Sequence, residues 1–135
     1  MEKTLGIIKP NLVQTKAIGK IISLLEDHDF EITELRLTTL TKSQAEEFYI
    51  EHKERPFYKS LVSFMTSGPV CLMVLRGEGA ISRYRNLMGA TDPSKAAPGT
   101  IRKIFGENIE KNGVHGSDSE ASASREVSFF FPHKA

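Results

Sequence analysis

Residues 69–75 read Pro-Val-Cys-Leu-Met-Val-Leu, and within them Val70 to Leu75 is the longest apolar run of the chain. Turn residues bound this run, with Gly68 before it and Gly77 after it. An uninterrupted apolar run of this kind predicts a central strand of a sheet, with both faces covered. The run falls far short of the ~20 residues that a membrane-spanning helix needs, so we expect no membrane segment.

Helical patterns lie on both sides of this strand. Pro56 suits the first turn of a preceding helix, and Gly68 suits its C-terminal cap. The apolar stripe of that helix has helical spacing and consists of Phe57, Leu61, Phe64 and Met65. After the strand, residues 79–87 are predicted to be helical, and Gly89 is predicted to end that helix.

The first third of the chain also alternates strands and helices. Residues 4–8 form a short β-branched run and residues 30–40 are rich in Ile, Leu and Thr, so both predict strands. Apolar residues between them recur with helical spacing at Ile18, Ile21, Ile22 and Leu25. A further helix is predicted to begin at Ser43, which has capping-box spacing to Glu46, and to carry Phe48, Tyr49 and His52.

The last third is less regular. Residues 91–100 contain two prolines and a glycine and predict a long ordered loop or a short helix, followed by a short mixed stretch over 101–109. Residues 114–116 indicate a very short strand or a turn. Ser117 and Glu120 have capping-box spacing and predict a helix through Arg125, whereas residues 127–131 fit either a helix end or a strand.

Strands that alternate with helices in this order predict an α/β or α+β chain. The order fits a ferredoxin-like split βαβ fold, with a four-stranded antiparallel sheet and surrounding helices. The 135 residues suffice for one domain, and neither a low-complexity linker nor an internal repeat divides them. We therefore expect a single domain over residues 1–135.

Composition excludes several functional classes. The 18 Lys and Arg against 17 Asp and Glu give a formal net charge of +1, unlike the basic footprint of a dedicated nucleic-acid binder. A hydrophobic fraction of 39% excludes disorder of the whole chain. No secretory leader is expected, because Met1-Glu2-Lys3-Thr4 leads directly into a short apolar stretch. The single cysteine, Cys71, excludes an intrachain disulfide and points to a reducing cytoplasm.

A phosphate site in this chain would have to use side chains. Neither the phosphate loop G-x-x-x-x-G-K-[ST] nor the dinucleotide pattern G-x-G-x-x-G is present. Candidate phosphate ligands are Lys9 at the end of the first strand, Arg85 and Arg102 on either side of the Pro-rich loop, and Thr91 inside it. Taken alone, each of these cations is most often a solvated surface charge.

Among the four histidines, His115 has the most unusual surroundings. No histidine pair has the spacing of a helical metal site. His115 lies in Asn112-Gly113-Val114-His115-Gly116-Ser117-Asp118-Ser119, where glycines on both sides permit close approach of the backbone. The helix predicted to follow favours negative charge nearby, so a neutral imidazole here could act as a nucleophile toward phosphorus.

The stretch around His115 resembles N-x-x-H-G-S-D-S, the active-site signature of nucleoside diphosphate kinases. Four further regions resemble that family in the same order and spacing. Residues 4–10 resemble its opening strand, and residues 54–58 resemble its nucleotide-clamp helix. Residues 65–70 resemble the entry to its central strand, and residues 88–93 and 97–102 resemble the two sides of its characteristic loop. The resemblance covers essentially the whole chain. It implies ping-pong transfer of the γ-phosphoryl group from ATP to nucleoside diphosphates, which would maintain the NTP and dNTP pools.

The resemblance also implies roles around the nucleophile. His115 would carry the phosphoryl group as phosphohistidine, Glu126 would orient its ring, and Ser117 would support that network. Tyr49 would sit near His115 and the γ-phosphate. Two of these roles have structural alternatives, because a residue such as Glu126 is more often a surface carboxylate and Ser117 already fits an N-cap.

The remaining residues implied by the resemblance would bind the nucleotide. The phosphates would be bound by Lys9, Arg85, Thr91 and Arg102, and the sugar hydroxyl region by Asn112 together with Lys9. Phe57 would stack on the base in a slot lined by Leu61 and Ile109, which predicts broad base tolerance because every base has a π-face. The alternative for Phe57 and Leu61 is a place in the core, since their spacing is that of an apolar helix stripe.

Some features depart from the family and bear on assembly. Lys103-Ile104-Phe105 follows Arg102 where the family usually has an acidic or glycine-acidic pair, and Phe129-Phe130-Phe131 occupies a region where many members carry a Trp. The longer C-terminal arm of many hexameric members is expected to be missing beyond Ala135. We expect a homo-oligomer, either a tetramer or a hexamer, that packs through the loop over residues 91–100. Mg²⁺ is expected to arrive bridging the nucleotide phosphates, without a direct protein ligand.

Two other functions fit the same pattern less well. A non-catalytic regulatory or ligand-binding domain could use this fold, but Lys9, Arg102 and His115 are all present. A nucleic-acid binder could use the face of the sheet, but the near-zero net charge argues against it. We therefore expect neither specific nucleic-acid binding nor membrane association.

Overall fold

The sheet contains four strands, each antiparallel to its neighbours. The structure is a computed structural model that describes residues 1–135. Strand β1 spans Glu2–Ile8, β2 Glu31–Thr38, β3 Val70–Gly77 and β4 Val114–Gly116. Their order across the sheet is β2-β3-β1-β4, so the short β4 lies at one edge, next to the end of β1. This arrangement confirms the predicted four-stranded antiparallel sheet of the split βαβ type.

Seven α-helices surround the sheet. They are α1 (Pro10–Gln14), α2 (Ile18–Asp27), α3 (Lys42–Phe48), α4 (Tyr58–Met65), α5 (Ala80–Met88), α6 (Ile101–Phe105) and α7 (Glu120–Phe130). Short 3₁₀ turns cover Ile50–His52 and Pro93–Lys95. None of the helices combines the length and the apolar character that crossing a bilayer would need.

Strand β3 is covered on both faces by helices. Cys71, Met73 and Leu75 belong to a core cluster with α2 and α5, whereas Val70, Leu72 and Val74 belong to a second cluster with α4 and α7. Two covered faces explain why this strand shows no polar alternation in its sequence. Burial raises the pKa of the free Cys71 thiol to about 11, so this side chain behaves as a small apolar group.

Helix α3 begins at Lys42, one residue earlier than predicted, and its capping box consists of other residues than the predicted pair. Thr41, not Ser43, is the N-cap of this helix. Its Oγ1 accepts a hydrogen bond from Gln44 N at 3.0 Å, and Gln44 Oε1 accepts one from Thr41 N at 2.9 Å. This pair has the same three-residue spacing as the predicted one, so spacing alone could not choose between them.

The start of α7 differs from its prediction for the same reason. Its N-cap is Ser119, which forms a capping box with Ser122, so Ser117 does not cap the helix. The Ser117 hydroxyl instead accepts a hydrogen bond from Leu5 N of β1 at 3.3 Å. The helix continues to Phe130, which settles the open assignment of residues 127–131 in favour of a helix.

One unpredicted helix and both ends of another also differ from the sequence predictions. Helix α1 is not predicted by the apolar pattern, because Pro10 both ends β1 and occupies the first position of a short helix. Helix α4 begins at Tyr58 rather than at Pro56, with Phe57 as its N-cap, and its C-cap is Thr66 rather than Gly68.

Candidate active site

His115 lies on β4, next to the end of β1. In the register of the sheet it is opposite Ile7, and the carbonyl of Gly113 accepts a hydrogen bond from Lys9 N at 2.8 Å. Gly113 has a φ of 97°, and a Cβ at this position would come within 2.6 Å of Leu12 Cδ1. Glycine is therefore required at this position to lead the chain into β4.

The His115 ring is held by a carboxylate from α7. Its Nε2 lies 2.7 Å from Glu126 Oε1, and the Ser117 hydroxyl donates to the same oxygen at 3.0 Å. Because a carboxylate only accepts hydrogen bonds, this contact places the ring proton on Nε2 and leaves the lone pair of Nδ1 free. Glu126 and Ser117 are buried, whereas 20% of the His115 side chain is exposed. The ring is thus hydrogen-bonded at Nε2 and remains partly accessible.

His115 borders a cavity of about 500 Å³. The cavity lies between the end of α3, the end of α5, the loop after Gly89 and the segment from β4 to α7. The predicted site residues in its lining are Tyr49, Arg85, Thr91, Arg102, His115 and Glu126. A second cavity, of about 620 Å³, lies at the opposite end of β1 beside Glu2 and is lined by none of the predicted site residues.

Two arginines bring positive charge to the cavity. Arg102 on α6 is held by backbone carbonyls, because its Nη1 donates to Gly89 O and its Nη2 to Val114 O, both at 3.0 Å. Burial lowers the pKa of Arg102, but a guanidinium keeps its charge throughout the physiological range. Arg85, near the end of α5, is exposed. The cavity therefore combines a fixed guanidinium with an exposed one, and both suit phosphate oxygens.

Lys9 lies behind the cavity and connects to it through Asn112. Its Nζ donates to Asn112 Oδ1 at 2.9 Å, and Asn112 Nδ2 donates to the carbonyl of Thr91 at 3.3 Å. Lys9 and Asn112 are both buried. Burial first, and then the positive charge of Arg102, lower the pKa of Lys9 from 10.5 to about 7. A cation disfavoured in this way would be stabilised by an anion beside it.

Tyr49 lines the cavity with a buried hydroxyl that has no hydrogen-bond partner. Burial, and then the nearby charge of Glu126, raise the pKa of this phenol, so it keeps its proton. A buried O–H group without an acceptor costs free energy. The Tyr49 hydroxyl is therefore an unused hydrogen-bond donor on a residue that lines the cavity.

Comparison with known proteins identifies the family that has this arrangement. The family model described as "Nucleoside diphosphate kinase" matches residues 2–135. The chain belongs to the nucleoside diphosphate kinase family. It is therefore a phosphotransferase and a nucleotide-binding protein, so the predicted family and general activity are confirmed.

Curated relatives and solved structures support this assignment. A nucleoside diphosphate kinase of Bdellovibrio bacteriovorus is 56% identical over 131 residues, which cover 97% of this chain and 93% of that protein. One of Anaeromyxobacter sp. (strain K) is 58% identical over 132 residues, covering 98% and 90%. The Aquifex aeolicus nucleoside diphosphate kinase structure has a TM-score of 0.94 at 45% identity and covers 96% of this chain and 94% of that one. A Halobacterium salinarum nucleoside diphosphate kinase in complex with CDP has a TM-score of 0.94 at 42% identity, covering 96% and 87%. These likenesses confirm the ferredoxin-like fold.

All three residues predicted to hold the base lie outside the cavity lining of this kinase. Phe57 is 45% exposed, and its ring centroid lies 5.5 Å from that of His52, which does line the cavity. Ile109 is also exposed, in the segment between α6 and β4. Leu61 is buried in the core cluster with α4 and α7. The exposed Phe57 ring has the accessibility that stacking requires, whereas Leu61 has the core environment that its helical spacing also predicts.

Five aromatic or charged residues of the kinase line the cavity without having been predicted as site residues. They are Phe48, Glu51, His52, Asp118 and Arg125. Arg125 Nη2 is hydrogen-bonded to Glu51 Oε1 and lies 3.8 Å from Glu126 Oε2. Asp118 accepts a hydrogen bond from the Ser122 hydroxyl at 2.7 Å, which lowers the pKa of Asp118. Since Arg125 pairs with two carboxylates, Arg85 and Arg102 are the cations left for a ligand.

The sequence held different signals for these five residues. Asp118 lies inside the signature around His115, so its position in the cavity could have been predicted. Phe48, Glu51 and His52 come from the end of α3 and the turn after it, and Arg125 comes from α7. Their contacts join elements far apart in the chain, and no local spacing encodes them.

Proposed function

We propose that this kinase transfers the γ-phosphoryl group of ATP, or of another nucleoside triphosphate, to nucleoside diphosphates through a phosphohistidine at His115. One observation carries the proposal: the hydrogen bond to Glu126 occupies His115 Nε2, so the nitrogen with a free lone pair is Nδ1. The ring borders a cavity that Arg85 and Arg102 also line. A nucleophile and two cations at one cavity are the main requirements of this reaction.

In the first half-reaction, the lone pair of His115 Nδ1 forms a bond to the γ-phosphorus. The bond from that phosphorus to the bridging oxygen breaks, and its electron pair leaves with the nucleoside diphosphate. The imidazole becomes positively charged, and Glu126 stabilises it through the proton that stays on Nε2. In the second half-reaction, a terminal oxygen of an acceptor diphosphate forms a bond to phosphorus, and the N–P electron pair returns to Nδ1.

The phosphate groups would be bound by the cations at the cavity and by nearby hydroxyl groups. Arg102, Arg85 and Lys9 would offset the charge of the transferring group, and Thr91 and Tyr49 would donate hydrogen bonds to phosphate oxygens. The two carbonyl contacts that fix Arg102 support its role, because a fixed guanidinium needs little reorganisation during transfer. The unpartnered hydroxyl supports the role of Tyr49.

The nucleoside would be bound on the side of Phe57 and Asn112. We propose that Phe57 stacks on the base, with Leu61 and Ile109 beside it, and that Asn112 and Lys9 bind the sugar hydroxyl region. Stacking on a ring face reads no base edge, so donors and acceptors with different bases are all accepted. The exposure of the Phe57 ring supports this arrangement.

Mg²⁺ would enter with the nucleotide as part of the substrate and bridge its phosphates. The chain has no group of three or more His, Cys, Asp or Glu side chains that could hold a metal ion. Two of the carboxylates that line the cavity, Glu51 and Glu126, lie against Arg125. Mg²⁺ commonly keeps several waters and binds through substrate phosphates, which suits a site whose protein groups are mainly cations.

We also propose that residues 1–135 act as one domain that forms a homo-oligomer, a tetramer or a hexamer, in the cytoplasm. The two core clusters flank a single sheet, which supports one domain. The loop over residues 91–100 is largely exposed, as are Leu35 and Leu37 on the edge strand β2, and both features support assembly. A buried free thiol at Cys71 suits a reducing compartment.

The central test is incubation with γ-labelled ATP, followed by a chase with a nucleoside diphosphate. We expect an acid-labile, alkali-stable label on His115 that the chase removes. His115→Asn should fold and bind nucleotide but remain unlabelled, because Asn has no basic nitrogen. His28→Asn is the matched control: His28 lies at the end of α2, outside the cavity lining, so this variant should label like the native protein.

Two outcomes would contradict the proposal. A label that maps to a serine such as Ser117, or normal turnover in His115→Asn, would assign the nucleophile to another residue. A folded native protein that binds nucleotide but never becomes labelled would favour a regulatory or ligand-binding role for this chain.

A further inference from the structure

His115 is held at one ring atom, and a single contact does not fix the plane of the ring. The hydrogen bond from Nε2 to Glu126 Oε1 restrains the position of Nε2. The imidazole can still tilt about that contact, and each tilt moves Nδ1 on the far side of the ring. Attack on phosphorus requires alignment of the nucleophile with the breaking bond, so a second contact on the ring has a direct use.

Phe48 makes such a contact. It is the last residue of α3, and its ring centroid lies 5.4 Å from that of His115, with an angle of 72° between the ring planes. This edge-to-face arrangement lies within the favoured range for two aromatic rings. Phe48 also lines the cavity that His115 borders.

Other rings prevent Phe48 from moving away from His115. Its centroid lies 5.0 Å from that of Phe130 and 5.8 Å from that of Phe129, both on α7. The Tyr49 ring packs edge-to-face against it at 4.9 Å. A side chain packed in this way has little freedom to change rotamer. The partly buried Phe48 ring is therefore restrained by its neighbours while it contacts the His115 ring.

We propose that Phe48 is a positioning residue for phosphoryl transfer, whose edge-to-face contact holds the His115 ring in the plane that aims Nδ1 into the cavity. This inference rests on the proposed function, because it concerns the orientation of the proposed nucleophile. Phe48 acts through His115 and takes no part in bond formation. Its contact couples the nucleophile on β4 to helix α3, which also leads into Tyr49.

The test compares three substitutions. Phe48→Leu removes the ring but keeps an apolar side chain, whereas Phe48→Tyr keeps the ring. Phe131→Leu is the matched control, because Phe131 belongs to the same core cluster but neither pairs with the Phe48 ring nor lines the cavity. The readouts are the single-turnover rate of His115 labelling at saturating γ-labelled ATP and the Kd for ADP by calorimetry.

We expect Phe48→Leu to slow labelling about 2- to 10-fold, the range that the loss of one aromatic pair can produce. Its Kd for ADP should stay within about twofold of the native value, because the ring orientation affects the chemical step. Phe48→Tyr and Phe131→Leu should both label at close to the native rate. This division between rate and affinity would not arise from a general loss of packing.

Each other outcome overturns one specific statement. Native labelling rates in Phe48→Leu, or equal slowing in Phe131→Leu, would overturn the positioning role and leave the proposed function intact. Absence of label in the native protein would instead overturn the proposed function. If Phe48→Leu does not fold, nuclear Overhauser contacts in the native protein decide: one ring orientation against Phe48 supports the inference, and several interconverting orientations overturn it.

Discussion

The Tyr49 hydroxyl costs stability in the free protein and serves nucleotide binding in the proposed site. It is buried without an acceptor, so removing it relieves a penalty. We expect Tyr49→Phe to unfold with an unchanged free energy or one raised by up to about 1 kcal/mol. The kcat/KM for ATP should fall about tenfold or more, because the variant loses the proposed hydrogen bond to a charged phosphate oxygen. Urea denaturation and steady-state kinetics measure both quantities.

Tyr58→Phe is the matched control for this prediction. The Tyr58 hydroxyl donates to the Glu46 carbonyl at 2.9 Å, and Tyr58 does not line the cavity. Its removal should lower the free energy of unfolding by about 1 kcal/mol and leave the kinetics unchanged. If instead Tyr49→Phe lost stability and kept its activity, the Tyr49 hydroxyl would be a structural group.

Lys9 makes the free energy of unfolding depend on pH, and nucleotide binding should change the protonation of this residue. Its pKa is lowered to about 7 in the folded state, against 10.5 for the ordinary value. Between these values the unfolded chain binds more protons, so this residue makes stability rise with pH from about 7 to 10.5. Bound phosphates would raise the pKa of Lys9 again. We therefore expect binding of ADP at about pH 8.5 to take up close to one proton.

Calorimetry in two buffers with different ionisation enthalpies measures this proton uptake. Lys9→Arg is the control, because an arginine keeps its charge at all these pH values and should show almost no uptake. An uptake equal in both proteins would mean that another group takes the proton and that Lys9 does not contact the phosphates.

At the level of elements, two facing glycines let α5 pack closely against the strand that carries His115. Gly6 of β1 and Gly116 of β4 are opposite one another. A Cβ at Gly116 would come within 2.7 Å of two ring atoms of Tyr84, which is fully buried. A Cβ at Gly6 would be less crowded, at 3.1 Å from the flexible end of Met73. The sheet at His115 is thus shaped around the Tyr84 ring.

We therefore expect Gly116→Ala to be the more damaging of the two substitutions. It should lower the free energy of unfolding by roughly 1–3 kcal/mol, because the Tyr84 ring has no room to move. It should also slow labelling, since β4 has to shift and takes His115 with it. Gly6→Ala, the matched control, should cost less in both measurements. Equal effects in urea denaturation would show that Tyr84 does not constrain this part of the sheet.

The elements were more predictable than their ends. Apolar periodicity identified the strands around residues 4–8, 30–40 and 70–75, because burial on a sheet constrains every position of a strand. The starts of α3 and α7 depend on which of several neighbouring Ser and Thr side chains turns back to the backbone. Thr41 and Ser119 are the N-caps because their backbone is extended where the helix begins, and the spacing of the capping box does not specify that conformation.

At the scale of the whole molecule, the site was predictable only where one stretch of sequence contains it. The signature around His115 brought in Asn112 and Ser117 by proximity in the chain, and the family resemblance added Glu126. The contact of Phe48 with His115, and of Arg125 with Glu51, depends on how α3 packs against α7. That packing follows from the two-faced core, which local patterns do not describe.

The edge of the sheet bears on the assembly of the whole molecule. Strand β2 is an edge strand, and it leaves Leu35 55% and Leu37 60% exposed on the same face. The strand also carries Glu31, Glu34 and Arg36 and a shift of register after Ile32, features that oppose pairing at a free edge, so the two exposed leucines are what favours a contact here. Full burial of one leucine side chain contributes about 1.5–3 kcal/mol of free energy, so covering both leucines with a second copy of the chain would favour association. We therefore expect this edge to contact a neighbouring subunit, in addition to the predicted loop over residues 91–100.

Sedimentation at micromolar concentration tests this assembly. The native protein should sediment as a tetramer or a hexamer. The double variant Leu35→Lys with Leu37→Lys should sediment as a smaller species, because burying two unpaired lysine charges in an interface costs free energy. Ile50→Lys is the control: Ile50 is 53% exposed but belongs to the 3₁₀ turn after α3 rather than to β2 or the loop, so its variant should keep the native size. A native monomer would refute assembly altogether. A double variant of native size would place the contact elsewhere, and substitutions in the loop over residues 91–100 would then decide whether that segment forms it.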